Sequence, residues 1–357
     1  MVIQYKCPNC GADMIYNAEN GMLHCDSCGT DEHIDSMKDS LQPDEQESFN
    51  EFCTETSTNT FETENTAQYQ CKNCGAILIT DTNTTASSCT FCDAPMILED
   101  RLTGELAPSK VVPFSITKNQ AEEAFRKWCG KGLLQPNDFK KANRVKNITG
   151  IYIPFWLYEM QSQGDVHAEC TKVKHRTEGD YNITETSYYD VYRNVDLYFE
   201  KIPVDASKRM DDETMDKLEP FDYSNLKDFH TPYLSGYLAE KYDYTAEDLL
   251  PRISKRTKEY TMDYIYSTIN GYSSTNIKHK NITTMQKNAY YTLLPLWIFC
   301  YDYENSEHNF IMNGQTGKIV GKPPISTPKS IICFSGISVI IFLIIKIIAY
   351  IIGGVWI

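Results

Sequence analysis

Cys7, Cys10, Cys25 and Cys28, and again Cys71, Cys74, Cys89 and Cys92, follow one spacing, C-x2-C-x14-C-x2-C. No other feature constrains the fold as much. A two-residue gap lets a tight turn aim both thiolates at one ion, and two such turns complete a tetrahedral shell of four sulfurs around zinc. The flanks repeat too: Tyr5-Lys6-Cys7-Pro8-Asn9-Cys10-Gly11-Ala12 matches Tyr69-Gln70-Cys71-Lys72-Asn73-Cys74-Gly75-Ala76 at a shift of 64 residues. Gly11, Gly29 and Gly75 each follow the second cysteine of a turn, where backbone amides turn toward sulfur and a positive φ is easily accommodated, and Asp93, which also tolerates that conformation, takes the place in the fourth. A closed four-thiolate shell leaves no position for water or substrate. The expectation is two structural zinc ions, one in a ribbon over residues 1–30 and one over 69–100, each contributing roughly 10–16 kcal/mol to the folding of a segment too short for a large core. His24, beside Cys25, is a substitute ligand that four cysteines make unnecessary.

Charge then limits the partners. The 357 residues hold 34 basic and 48 acidic side chains, a net charge of −14, distributed as −2 over 1–30, −10 over 31–68, −3 over 69–100 and +1 over 101–357. Within the ribbons Lys6 and Lys72 are the only basic residues, so nucleic acid is a disfavoured partner and docking of protein, or self-pairing, is favoured. The first ten residues contain no apolar stretch of a cleavable signal, so the 13 cysteines are expected to be metal ligands or reduced thiols in the cytoplasm. Cys53, Cys129, Cys170, Cys300 and Cys333 lack ligand spacing and read as small apolar filler or free thiols.

Residues 31–68 carry 11 acidic residues against Lys38 and read as a flexible acidic linker, with a short helix at 45–52. Residues 101–328 read as a mixed antiparallel α+β core. A capped helix is expected over 115–130, with Thr117 as N-cap and Ala121, Ala124, Phe125 and Trp128 on one face. Segments 151–158 and 293–300 share the form apolar-Pro-apolar-Trp-apolar, an internal duplication with Pro154 and Pro295 at strand starts or edges. Residues 187–203 alternate as a strand, 233–269 read as mainly helical with an interruption near Pro251, and Asn313–Gly317 closes a hairpin.

Residues 331–357 contain one charged side chain, Lys346, and 11 isoleucines lie between 331 and 352. Their insertion into a bilayer is favoured by on the order of 5–8 kcal/mol, against about 3 kcal/mol for the lysine, which can snorkel toward an interface marked by Tyr350 and Trp356. Residues 329–357 are therefore expected to be a single-pass anchor contacting the lipid bilayer through 331–352. Lys318, Lys322 and Lys329 precede the span and nothing basic follows Lys346, which puts the N-terminal domains in the cytoplasm. Pro323, Pro324 and Pro328 form a stiff spacer before it.

With the two ribbons, the segments Pro113-Phe114-Ser115-Ile116-Thr117, Tyr152-Ile153-Pro154-Phe155-Trp156-Leu157, Pro203-Val204-Asp205-Ala206-Ser207-Lys208 and Phe310-Ile311-Met312-Asn313-Gly314-Gln315-Thr316-Gly317-Lys318 give the chain a family likeness. It resembles bacterial membrane proteins with a transcription factor IIB-type zinc ribbon, often labelled replication-restart-helicase-like. Some of that family resemble components of envelope-stress assemblies with phage-shock and stomatin-like (SPFH) scaffold proteins, and the resemblance implies partners of that kind. A helicase needs a phosphate loop, GxxxxGK[ST]. The nearest candidate, Gly314 to Ile319, lacks both the spacing and the hydroxyl for magnesium. HExxH, GxSxG and GxGxxG are also absent; Asp205 and Ser207 near His230 would be the seed of a hydrolase, but lone polar residues in a Tyr-rich domain are usually satisfied surface or turn groups. The expectation is a non-enzymatic, membrane-anchored zinc-ribbon adaptor that gathers protein partners. The alternative is a transcription- or nucleic-acid-associated ribbon protein without helicase activity.

Overall fold

Sixteen strands and four α-helices follow one another along the chain in a computed structural model that describes residues 2–40, 66–81, 83–89, 92–98, 102, 107–132, 134–137, 139, 145–303 and 306–351. The short strands come first: β1 (Val2–Ile3), β2 (Ile15–Asn17), β3 (Met22–His24), β4 (Asp31–Glu32), β5 (Thr66–Gln70), β6 (Ile77–Asp81), β7 (Thr84–Ser88), β8 (Pro95–Leu98) and β9 (Lys110–Val111). Then come α1 (Lys118–Lys131), β10 (Val145–Glu178), β11 (Tyr181–Asp205), α2 (Asp212–Leu218), β12 (Lys227–Asp228), β13 (Leu238–Glu240) and α3 (Leu250–Thr268). The chain ends with β14 (Ser274–Tyr303), β15 (Ser306–Asn313), β16 (Ile319–Val320) and α4 (Thr327–Ile351). The chain is thus mixed α+β, with two four-cysteine clusters near its N-terminus and one apolar C-terminal helix. It divides into two units, one of residues 1–113, 152–216 and 222–294, the other of 114–151, 217–221 and 295–357.

In the first unit the sheet runs β1-β8-β7-β13-β10-β14, with β11 on β10 and β9 on β14. The hairpin of β10 and β11 is long because alternation persists from Phe155, opposite Asp205, to Glu178, opposite Tyr181. Helix α3 covers one face of it. Ile253, Thr257, Thr261 and Ile265, spaced four apart, form its buried stripe, and Val166, Ala168, Cys170 and Val191 meet Ile265. The two threonines fit because each hydroxyl is satisfied: Thr257 donates to the Ile253 carbonyl at 2.8 Å, and Thr261 contacts the Ser162 hydroxyl at 2.7 Å.

The second unit is built around α1. Thr117 caps it through a reciprocal box with Gln120, and buried Phe125 stacks on Phe299 with centroids 4.4 Å apart. Residues 296–303 of β14 pair with β15, and β15 with β16, around the expected Asn313–Gly317 turn.

Three expectations change. Pro251 lies in the first turn of α3, where its missing N–H costs nothing, and the chain before it forms a 3-10 turn (Thr231–Leu234) and β13 rather than helix. Pro154 and Pro295 lie inside long strands, each one residue before a ladder: Phe155 opposite Asp205 is the end pair of one, Leu296 opposite Asn313 of the other. The acidic linker is ordered at both ends, because Ile34 and Met37 bury their side chains from a 3-10 helix (Ile34–Ser40) and β5 begins at Thr66. The expected helix at 45–52, Cys53, Trp356 and the Tyr350 side chain lie outside what is described.

Candidate metal centres

Each ribbon is made of two backbone turns of one design. The amide of Cys7 donates to the carbonyl of Ala12 at 2.7 Å, and that of Gly11 donates back to Cys7 at 2.8 Å. The same two bonds recur from Cys25, Cys71 and Cys89, with the return amides supplied by Gly29, Gly75 and Asp93. Those four residues have φ of 76°, 75°, 76° and 56°, as the sequence leads one to expect of this position.

The turns bring four sulfurs together twice, those of Cys7, Cys10, Cys25 and Cys28 and those of Cys71, Cys74, Cys89 and Cys92, all within 4.8 Å of one another in each set. The Sγ–Sγ distances are 3.6 Å for Cys7–Cys28, 3.5 Å for Cys10–Cys25, 3.8 Å for Cys71–Cys92 and 3.7 Å for Cys74–Cys89. The edge of a tetrahedron with Zn–S bonds of ~2.3 Å is about 3.8 Å, so both sets have the dimensions of a four-thiolate metal site. His24 is not a member of either; its Nδ1 lies 2.6 Å from Asp31 Oδ1.

Electrostatics favours a cation at both centres. The Thr30 hydroxyl, 3.1 Å from Cys28 Sγ, holds that thiol down at about 6. At Cys10 the Ala12 backbone hydrogen bond pulls the other way, but the sulfurs of Cys28 and Cys25 push the thiol up to about 12. The second ribbon repeats the pattern. Hydrogen bonds from the Ala94 backbone and Asn73 hold Cys92 at about 7, while Cys74 is pushed to about 12 by Cys92 and Cys89 against the Ala76 bond. Four thiolates at such spacing repel one another, and a divalent ion relieves that repulsion.

Thr30, Asn73 and Gln4 are contributors that spacing rules did not identify. Asn73 Nδ2 reaches Cys92 Sγ at 3.6 Å and Gln4 Nε2 reaches Cys71 Sγ at 4.0 Å. Asn73 was the most accessible to sequence reasoning, since Asn9 holds the same place in the first ribbon.

Both centres are built into the first unit. Val2 and Ile3 of β1 pair with Leu98 and Ile97 of β8, and Ala239 of β13 pairs with Ala86 of β7. Buried Cys71 and Cys89 share a cluster with Val2, Ala94, Met96 and Leu98. In the Asp205, Ser207 and His230 group, Asp205 Oδ1 accepts from the Ser207 amide at 3.2 Å, and the His230 ring stacks on Tyr233.

Over 355 residues, 99% of each protein, the chain is 51% identical to the "Uncharacterized protein YdjG" of Bacillus subtilis (strain 168). It belongs to the YdjG family. The match spans everything from the first ribbon to the last helix, so YdjG is a relative of the whole architecture. No protein-family model matches the chain, and no solved structure does.

Helix α4 is the other candidate functional element. Its 327–348 stretch has a mean hydropathy of 2.8 and none of it is buried, so Phe334, Val339, Phe342 and the surrounding isoleucines are exposed along an apolar helix long enough to cross a membrane.

Proposed function

We propose that this chain is a membrane-anchored, non-enzymatic adaptor. Its two four-cysteine centres hold structural zinc, and its folded units gather protein partners at the cytoplasmic face of a membrane that α4 spans. The observation that carries the reading is the sulfur geometry, four thiols at tetrahedral spacing in each ribbon with no fifth ligand among the described residues. Such a shell cannot present a water or a substrate oxygen to the metal, so its contribution is to folding. Zinc in the first ribbon would hold Cys7 to Cys28 and with them β1 and β2, whose neighbours belong to the rest of the first unit. The metal would thereby stabilise a larger docking surface than the ribbon itself. Anchoring raises the local concentration of whatever docks, so individually weak contacts suffice when several are presented together.

The resemblance to transcription factor IIB-type ribbon membrane proteins supports phage-shock or SPFH-type scaffolds as the partner class. Acidic ribbons weigh against nucleic acid, as do Asp13, Asp26 and Asp31 around the first centre.

The test is crosslinking in intact cells followed by purification from membranes, comparing the unaltered chain with Cys25→Ser plus Cys28→Ser and with a chain ending at residue 326. The adaptor reading expects a defined set of partners at the membrane that both changes deplete. Salt-dependent binding of DNA by the purified chain, or ATP hydrolysis above background, would instead support the other classes.

A further inference from the structure

Pro323 and Pro324 lie in the link between β16 and α4, and the second unit also holds the base of α4 at three points. The Ser326 amide donates to the Leu134 carbonyl at 2.8 Å, and Lys329 Nζ donates to the Gln135 carbonyl and to Asn137 Oδ1, both at 2.7 Å. The apolar run starts at Ile331, two residues and about 3 Å of helix beyond Lys329. Residues 134–137 therefore lie at the level where α4 turns apolar. They follow the C-terminal end of α1, where Lys131 is exposed and Arg126 and Lys127 keep 55% and 70% of their side chains in solvent. In the link between β16 and α4, Lys322 is exposed and the apolar Ile325 is 68% exposed.

We infer that this face of the second unit, made of Arg126, Lys127, Lys131, Lys322, Ile325 and Lys329, rests on the membrane surface and binds anionic lipid headgroups. The inference rests on the reading of α4 as a membrane span. Charge complementarity selects the occupant. Lys329 is held by a carbonyl and an amide oxygen, both neutral, so among the described residues no carboxylate compensates its charge where the helix turns apolar. The ion pairs of Arg126 with Glu122 and of Lys127 with Glu123 are exposed, and such pairs are weak enough for a phosphate to compete for the cation. Ile325 supplies the apolar contact that an interfacial surface adds to its charges. A short link held at three points also keeps Lys329 within a Debye length of the headgroups, where each Lys or Arg attracts an acidic leaflet.

The experiment uses the full chain in nanodiscs of phosphatidylcholine alone and of phosphatidylcholine with 30% phosphatidylglycerol. Lysines are labelled with a water-soluble acylating reagent and read by mass spectrometry. The inference expects Lys127, Lys131 and Lys322 to react at least threefold more slowly in the anionic discs, with the difference lost in 0.5 M salt. It also expects Lys127→Glu with Lys131→Glu to restore Lys322 reactivity. Equal reactivity in the two discs, or equal protection in both, would overturn it while the anchor stands. Failure of the chain to co-elute with either disc would overturn the anchor itself, and the lipid face with it.

Discussion

Ser235 donates its hydroxyl to the carbonyl of Met14 at 2.6 Å, and Tyr16 donates its amide to the carbonyl of Ser235 at 2.9 Å. These two bonds join the first ribbon to a turn more than 200 residues away in the chain. Ser235 is 1% exposed and Met14 fully buried, so the contact is shielded from water. The ribbon is thus a part of the first unit and not a module carried on it.

Ser235→Ala removes the shielded hydroxyl and should cost about 1–2 kcal/mol. Urea unfolding of the metal-loaded chain is expected to show a lower midpoint with an unchanged slope. Release of metal to a chelator should quicken in parallel, because the turn that holds β2 is loosened. An unchanged release rate would mean that the ribbon opens independently of the rest of the unit.

A pH dependence follows from Asp205, 1% exposed and with no partner for Oδ2 in the described structure. Burial pushes its carboxyl up to about 7, with Asp212 and Asp216 adding to the effect and the Ser207 amide and Arg252 opposing it. The unfolded chain loses this proton near pH 4 and the folded chain near 7, so between those values the native state holds the extra proton. Stability should fall as pH rises through that window, by roughly 2–4 kcal/mol in all, and level off above it. Asp205→Asn should remove the slope and stabilise the protein at pH 8. The chain already uses that solution at the matching place in its second Pro-Trp segment. There Asn313 takes the position of Asp205 in the ladder, and its amide donates to the carbonyls of Leu218 and Pro220 at 3.2 and 3.3 Å.

Much of this was legible where the signal is local. Thr117 announces an N-cap, which Gln120 completes as a capping box, four Cys-x2-Cys turns announce themselves, and the Asn313–Gly317 turn closes between alternating strands. The parallel between the Pro154 and Pro295 segments was also legible, and the geometry extends it: Trp156 donates to the Tyr244 carbonyl at 2.9 Å and Trp297 to that of Ile116 at 3.0 Å. The integration of the ribbons was not legible, because pairs such as Val2 with Leu98 and Met14 with Ser235 join positions with no common local pattern. Pro251 misled for a different reason. A proline signals the first turn of a helix as readily as its interruption, and only the packing of Ile253 to Ile265 decides between them.

Two glycines should respond in opposite directions to alanine. A Cβ on Gly314 would lie 2.7 Å from two Phe114 ring carbons and 2.9 Å from the Pro295 carbonyl oxygen, so Gly314→Ala should cost about 1–3 kcal/mol. Gly130 is in the last turn of α1 with nothing within 4 Å of such a Cβ, and Gly130→Ala should gain roughly 0.4–1 kcal/mol. Thermal unfolding of both variants checks the pair, and a gain at Gly314 would contradict the packing described for the second unit.

Zinc in both four-cysteine centres would be read as a stoichiometry by elemental analysis of the reduced full chain in detergent. Two equivalents of zinc per chain are expected, falling to one with Cys71→Ser plus Cys74→Ser and to none when Cys7 and Cys10 are replaced as well. A stoichiometry of one in the unaltered chain, or iron in place of zinc, would contradict the account.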